Sequence, residues 1–94
     1  MTAIIITAQT AAATSTQFAV TKKVMSRTVI ASGLAGAETV VIQIKDGAGA
    51  WISTSSANNL TATDPVRTIS AEGEYRLSKD VTAGSVSCSL TGAL

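Results

Sequence analysis

The sequence has 94 residues, which is enough for one folded domain and too few for two. Charged residues make up 14% of the chain, below the usual share of about 25%, and the formal net charge is +1. This balance excludes a general electrostatic attraction to nucleic acids or acidic membranes. The absence of histidine removes the commonest general base and most zinc sites, and a single cysteine excludes an internal disulfide.

Short runs of β-branched residues recur along the chain between Gly, Pro, Asp and Asn. Taken in order, the predicted strands span residues 2–7, 16–20, 24–31, 37–45, 50–54, 73–78 and 85–90, and residues 60–63 and 66–70 are short or weakly alternating strand-like segments. Residues 8–15 are predicted to form a loop, since they include threonines and lack large apolar anchors. Turn signals about every 8–12 residues predict an all-β fold: a small antiparallel β-sandwich or partly open barrel of about seven to eight short strands.

The longest strand pattern lies at residues 37–45. Val40, Ile42 and Ile44 fall on one face of an extended chain, as expected for a strand that packs on one side. The segment Asp46-Gly47-Ala48-Gly49 then predicts a chain reversal, because glycine reaches positive φ at little steric cost. Trp51 follows this turn, and its large ring is predicted to point inward and cover the core.

The last predicted strand shows the clearest alternation in the chain. Its inward set is Val86, Cys88 and Leu90, and its outward set is Ser85, Ser87 and Ser89. Segment 73–78 repeats the pattern, with Tyr75 and Leu77 on the inner face.

The whole chain, 1–94, is interpreted as a single β-sandwich domain whose N-terminal segment 1–15 forms an extended arm. The predicted strand 2–7 is a candidate to join the sheet edge of a neighbouring protein. Its apolar residues are therefore candidate partner-binding residues: Ile4, Ile5 and Ile6. This run is too short for a signal peptide or a membrane span, so the chain is expected to be made and kept soluble in the cytoplasm.

No catalytic, cofactor-binding or metal-binding residues are predicted. Cys88 is interpreted as a buried apolar residue rather than a nucleophile, because no imidazole is present to activate its thiol. Glu72 and Glu74 share a face, as a glycosidase pair would, but a solvated strand end is favoured. Asp46 offers one carboxylate where calcium needs six to eight oxygens, so it is assigned to the turn.

The basic side chains lack aromatic stacking partners, which argues against nucleic-acid binding. They are expected to be solvated or to lie at interfaces: Lys22, Lys23, Arg27, Arg67, Arg76 and Lys79. Threonine, serine and alanine fill the positions that charged residues usually occupy. Such a surface fits either ordinary β-sheet composition or contacts with partner proteins, and the sequence leaves both alternatives open.

Several motifs resemble those of small structural proteins from tailed bacteriophages and prophages. They comprise an N-terminal apolar strand, L-x-G-x-E-x-V-x-I-Q, a glycine turn before an aromatic residue, and G-x-Y-R-[LV]-x-K. The matching positions are Leu34, Gly36, Glu38, Val40, Ile42, Gln43, Trp51, Gly73, Tyr75, Arg76, Leu77 and Lys79. The resemblance implies a virion protein, and its size implies a head decoration protein on the outer surface of the capsid.

The resemblance also implies partners and a location. The implied partner is the major capsid protein, with self-association that includes a trimer, and without nucleic acid or membrane. The implied location is the capsid surface of the virion, after synthesis in the host cytoplasm. The main alternative is a tail or fibre module that binds a host surface, which would need exposed aromatic residues on loops. A carbohydrate-active enzyme and a host-factor inhibitor are disfavoured by the missing catalytic groups and the balanced charge.

Overall fold

The structure, a computed structural model, describes residues 2–23 and 25–92. Ten strands are present in these ranges, together with one 3₁₀ helix, Ser56–Asn58, and no α-helix. The strands are β1 (Thr2–Gln9), β2 (Ala13–Thr14), β3 (Phe18–Val20), β4 (Arg27–Ser32), β5 (Thr39–Lys45), β6 (Trp51–Ser53), β7 (Leu60–Thr61), β8 (Val66–Ile69), β9 (Gly73–Lys79) and β10 (Val86–Gly92). No helix in the described part of the chain is long and apolar enough to cross a membrane.

Two antiparallel sheets form the fold. The first has the order β1-β10-β4-β8. The second has the order β2-β9-β5-β6, with β3 also beside β9 and β7 also beside β5. This sheet has six strands. The short strands β2 and β3 pair one after the other along the same edge of β9, and β6 and β7 do so along the same edge of β5, so the sheet is four strands wide at any point. The prediction of an all-β antiparallel sandwich is therefore confirmed.

The core lies between the sheets and consists mainly of medium-sized aliphatic side chains. Its fully buried members are Val29, Val40, Leu60, Leu77, Val86 and Cys88. The rings of Phe18 and Tyr75 stack with their centroids 6.1 Å apart. The inward faces predicted for β5, β9 and β10 are thus confirmed, and the alternation in these strands follows from burial of one face.

Strand β1 contains an irregularity that decides which isoleucines are buried. Ile4 pairs with Ser89 and Ile6 pairs with Cys88, so two residues of β1 advance against one of β10. This is a β-bulge at Ile5. Without it, Ile6 would point outward like Ile4; with it, Ile6 is 3% exposed and Ile4 is 70% exposed.

The predicted loop at residues 8–15 is wrong in part. Strand β1 continues to Gln9, and Ala13 and Thr14 pair with Lys79 and Ser78 of β9. Ser15 continues this edge, because its amide donates to the Leu77 carbonyl and its hydroxyl accepts from the Leu77 amide. Small residues lack a strong strand pattern, but their backbone can still pair with a free sheet edge.

The start of the third predicted strand differs too. Strand β4 begins at Arg27, and Met25 before it is exposed. Val24, which was placed in that strand, lies outside the described residues, as do residues 1, 93 and 94.

The turn after β5 forms as predicted. Asp46 Oδ1 accepts hydrogen bonds from the amides of Ala48 and Ala50, each at 2.9 Å. Gly49 has φ of +88°, in the region that favours glycine. The Asp46 carboxylate therefore closes a turn, in agreement with the interpretation of this segment.

The two loops that cross between the sheets at one end are tied together by Glu38. Its carboxylate accepts from the Ala35 amide at 3.0 Å and from the Ala83 amide at 2.7 Å. These two hydrogen bonds lower the pKa of Glu38 below its ordinary value. Gly33 lies at φ +99° beside the Ser85 carbonyl, where a Cβ atom would clash. The connection between the sheets therefore depends on these loops.

Candidate binding faces

The first sheet, β1-β10-β4-β8, has one surface that faces away from the core, and this surface is called the uncharged face below. Among the described residues it carries only hydroxyl and aliphatic side chains. Its members are Ile4, Thr28, Ile30, Ser32, Val66, Thr68, Ser87, Ser89 and Thr91. The two charged residues in these strands, Arg27 and Arg67, alternate with the outward positions. Arg27 Nε donates to the Ala19 carbonyl, and Arg67 Nη2 donates to the Ala57 carbonyl.

Strand register arranges this face in rows. One row crosses all four strands through Ile4, Ser89, Ile30 and Val66. The next row includes Thr28 and Thr68, whose hydroxyl oxygens lie 3.2 Å apart. A sheet of this kind can be covered without stripping water from a charge, which is a main cost of burial in an interface.

The three isoleucines predicted to bind a partner are not brought together at the surface. Ile6 is in the core and Ile5 packs against the core, whereas Ile4 lies on the uncharged face. The outer edge of β1 is interrupted by two register shifts, and bulges of this type hinder pairing with another strand. Partner binding by this segment stays a prediction, and the structure gives Ile4 the exposed position from which to contribute.

The prediction for Trp51 is wrong. Trp51 pairs directly with Lys45, and directly opposite residues of an antiparallel pair share a face. Its side chain therefore lies on the outer surface of the second sheet, whereas Tyr75 is buried at 4% exposure as predicted. The turn chemistry was recognised in the sequence, but the register that decides the face was not.

Trp51 lies within a group of polar side chains, called the Trp51 strip below. The strip consists of Gln43, Lys45, Trp51, Ser53, Glu74 and Arg76. The Arg76 guanidinium carbon lies 4.7 Å from the indole centroid, and Lys45 Nζ lies 5.3 Å from it. Both distances are within the range of cation–π attraction.

Hydrogen bonds and one ion pair order the strip further. Arg76 Nε donates to Gln43 Oε1 at 2.7 Å, and Gln43 Nε2 lies 3.4 Å from Ser53 Oγ. Lys45 Nζ lies 3.4 Å from a Glu74 carboxylate oxygen. The side chains of β9, β5 and β6 thus hold one another in place on a sheet surface.

The candidate nucleophile and the acidic pair show no catalytic arrangement. Cys88 is fully buried, and burial raises the pKa of its thiol to about 11. Glu74 pairs with Lys45, while Glu72 is exposed in the bend before β9. No group of three or more His, Cys, Asp or Glu side chains within residues 2–23 and 25–92 is arranged to hold a metal ion.

The sequence interpretation missed the burial of Lys79. It continues the inward series of Tyr75 and Leu77 on β9 and is 2% exposed, contrary to the expectation of a solvated or interface charge. Its ammonium group donates to the carbonyls of Ala11, at 2.6 Å, and Asp80, at 3.1 Å. These carbonyls offset part of the cost of burying the charge. The sequence does carry a signal for this burial: Tyr75 and Leu77 point inward, and Lys79 is the next residue of the same alternating series.

A cleft of about 330 Å³ opens between the sheets beside the first residues of β9. Its floor includes Ile42, Ile44 and Ile69, and Arg67 lies at its rim. Arg67 is held by Asp64 at 2.8 Å and by the Ala57 carbonyl at 2.9 Å. The Arg67–Asp64 ion pair therefore holds in place one of the side chains that line the cleft.

Comparison of the chain with protein-family models, with curated proteins and with solved structures finds no match. The two outer faces are thus the main evidence for function.

Proposed function

We propose that this protein is a non-enzymatic structural protein of a tailed-bacteriophage virion. It would decorate the capsid by binding the outer surface of the major capsid protein lattice, after synthesis in the host cytoplasm. The observation that supports this proposal is the uncharged face. A charge-free surface on one side of a sandwich is suited to contact with another protein surface.

The size of the face supports a mode of binding that relies on repetition. Four strands about 4.8 Å apart and about six residues long give an area of roughly 400 Å². This is about half of what one partner contributes to a standard protein interface. One such contact is weak, but a capsid offers the same contact many times. Self-association into a trimer is part of the proposal, since three joined faces exceed the area that one partner contributes to a standard interface and gain avidity.

The difference in charge between the two outer faces predicts which face the bound protein turns toward the capsid. With the uncharged face against the capsid, the Trp51 strip points to solvent. Lys45, Glu74 and Arg76 then remain hydrated, so binding does not carry their desolvation cost. Reversed binding would bury these charges against the coat protein.

Co-sedimentation with expanded capsid shells of the corresponding phage tests the proposal. Ser89 and Ser78 are both half-buried serines that point outward from interior strands of their sheets. We expect wild-type protein to saturate the shells at a fixed ratio to coat subunits. Ser89→Lys should weaken binding at least about tenfold because it buries a charge, whereas Ser78→Lys should bind like wild type.

Two outcomes would contradict this proposal. Wild-type protein that fails to pellet with expanded shells would exclude decoration. Equal loss of binding in both lysine variants, with unchanged thermal melting, would remove the uncharged face from the contact.

A second candidate function, a tail or fibre module that binds a host surface, is favoured by one observation. It needs exposed aromatic residues on loops, and Trp51, the half-buried first residue of β6 after the Asp46 turn, lies on an outer face rather than in the core. Pelleting of the protein with host-cell envelopes, but not with capsid shells, would support this alternative.

A further inference from the structure

We propose that the Trp51 strip is a binding site for a glycan that carries a carboxylate, such as a uronic or sialic acid residue. The proposal does not depend on capsid decoration, because the strip and the uncharged face lie on opposite sides of the sandwich. It names a ligand class for the second candidate function and rests on the arrangement of Arg76 and Trp51.

Arg76 offers the recognition element for the carboxylate. Its Nε is engaged by Gln43 Oε1 at 2.7 Å, which fixes the plane of the guanidinium group. The ion pairs within residues 2–23 and 25–92 are Lys45–Glu74 and Arg67–Asp64, and neither involves Arg76. The two terminal nitrogens therefore keep donors for a bidentate contact, the geometry in which arginine binds carboxylates best.

Trp51 offers an apolar surface beside this fork. Its indole is half-buried, and because Arg76 and Lys45 already lie over the ring, the proposal places the sugar on the ring surface that these two side chains leave open. The C–H groups of a sugar ring carry slight positive charge and are attracted to the electron-rich face of an aromatic ring. Arg76 on β9 and Trp51 on β6 stand on the two strands that flank β5, so the sheet holds both residues and the site needs little ordering on binding.

The remaining members of the strip fit the hydroxyl groups of a sugar. Gln43 and Ser53 present amide and hydroxyl groups, and Glu74 presents a carboxylate that accepts hydrogen bonds. Lys45, Arg76 and Glu74 together carry one net positive charge, which complements a ligand with one carboxylate.

The experiment uses the fluorescence of Trp51, the only tryptophan in the chain. Wild-type protein is titrated with sialyllactose and with trigalacturonate, and in parallel with their neutral counterparts, lactose and carboxyl-reduced trigalacturonate. We expect a saturable change with at least one acidic sugar below roughly 10 mM and at least about tenfold weaker binding of its neutral counterpart.

Variants then test whether binding depends on the planar guanidinium group of Arg76 or only on its positive charge. Arg76→Lys retains the positive charge but not the planar fork, so we expect at least about tenfold weaker binding of the acidic sugar. Lys22→Gln, an exposed change outside the strip, is the control and should bind like wild type. Circular dichroism confirms that both variants are folded.

Three results would overturn the proposal. The first is no saturable change with either acidic sugar up to roughly 10 mM. The second is Arg76→Lys binding with wild-type affinity. The third is equal or tighter binding of a glutamate-rich peptide, which would assign the strip to a protein ligand. None of these results affects capsid pelleting, so failure of this inference and failure of the decoration proposal are distinguishable.

Discussion

The outer faces of the two sheets are built on the same alternation but have opposite chemistry. On the four-stranded sheet, the row through Ser89 and Ile30 contains no charge. On the other sheet, the row through Glu74, Lys45 and Trp51 contains an ion pair and a cation–π contact. The core requires only that alternate residues be apolar, and it places no demand on the outward positions. The difference between the faces therefore indicates what each face contacts.

The comparison also separates faces from edges. The long edge strand β1 is bulged, and the opposite edge strands, β6 and β8, have three and four residues. Short or bulged edges are poor templates for pairing with another chain. The faces are consequently the better candidates for recognition, one by its uncharged hydroxyl and aliphatic side chains, the other by directed charged and polar groups.

The largest expected effect concerns the two sides of β10. In a Cys88→Ala background, the Ser89→Cys variant places a thiol on the uncharged face, whereas wild-type Cys88 is buried with a raised pKa of about 11. At pH 8 we expect the outward thiol to react with an aromatic disulfide reagent more than about a hundredfold faster. Added capsid shells should slow the reaction of the thiol at position 89, because they cover the uncharged face, and should leave the reaction of Cys88 unchanged. Similar rates in the two folded proteins would show that the sides of β10 are not distinct.

The next largest effect is a contrast within β1 that tests the bulge. Ile6→Ala empties a core position, and we expect it to lower the free energy of unfolding by about 2–4 kcal/mol. Ile4→Ala, two residues earlier, should change it by less than about 0.5 kcal/mol but weaken capsid binding. Urea unfolding measures both variants. A larger loss of stability from Ile4→Ala than from Ile6→Ala would mean that the register of β1 is shifted.

A smaller, pH-dependent effect on stability is expected at the two loops that cross between the sheets and are linked by Glu38. The amides of Ala35 and Ala83 lower the folded-state pKa of Glu38, so its stabilising contribution is present above the unfolded-state value of about 4.3. The contribution is lost as the pH falls through the lower folded-state value. We expect Glu38→Gln to lower the urea midpoint at pH 7 and to approach wild type at pH 3.

The exposed Glu72→Gln change is the control for this experiment. It should leave the urea midpoint at pH 7 unchanged, because Glu72 lies in the bend before β9, away from the crossing loops. A Glu38→Gln variant with the same pH profile as wild type would show that the loops are held by other contacts.

The smallest effect is expected within the uncharged face itself. Thr68→Ala removes one partner of the exposed hydroxyl pair with Thr28. Cross-strand pairs of this kind contribute a few tenths of a kcal/mol, so we expect a loss of about 0.2–0.5 kcal/mol in thermal unfolding. A loss above about 1.5 kcal/mol would mean that the hydroxyl row is a structural element rather than a contact surface.

Much of the fold was predictable because it depends on local patterns. The alternation in β10 identified Cys88 as inward and its serine neighbours as outward, and Asp46 with Gly49 identified the turn after β5. The low charge was visible in the composition, and both open explanations of it predicted polar, uncharged surface residues. The candidate sites were less predictable, since a count of charges does not say which face they occupy.

Three features required the folded chain, and each depends on register. Trp51 lies outward because it is directly opposite Lys45, and Ile6 is buried because β1 bulges at Ile5. Lys79 continues the inward alternation of β9, and the pairing of β2 with the end of β9 brings the Ala11 carbonyl close enough to accept a hydrogen bond from its ammonium group. Alternation along a strand is a local property of the backbone and can be read from the amino acids alone. Which alternate face meets the core, and which side chains become neighbours across strands, is decided by pairing between segments far apart in the chain.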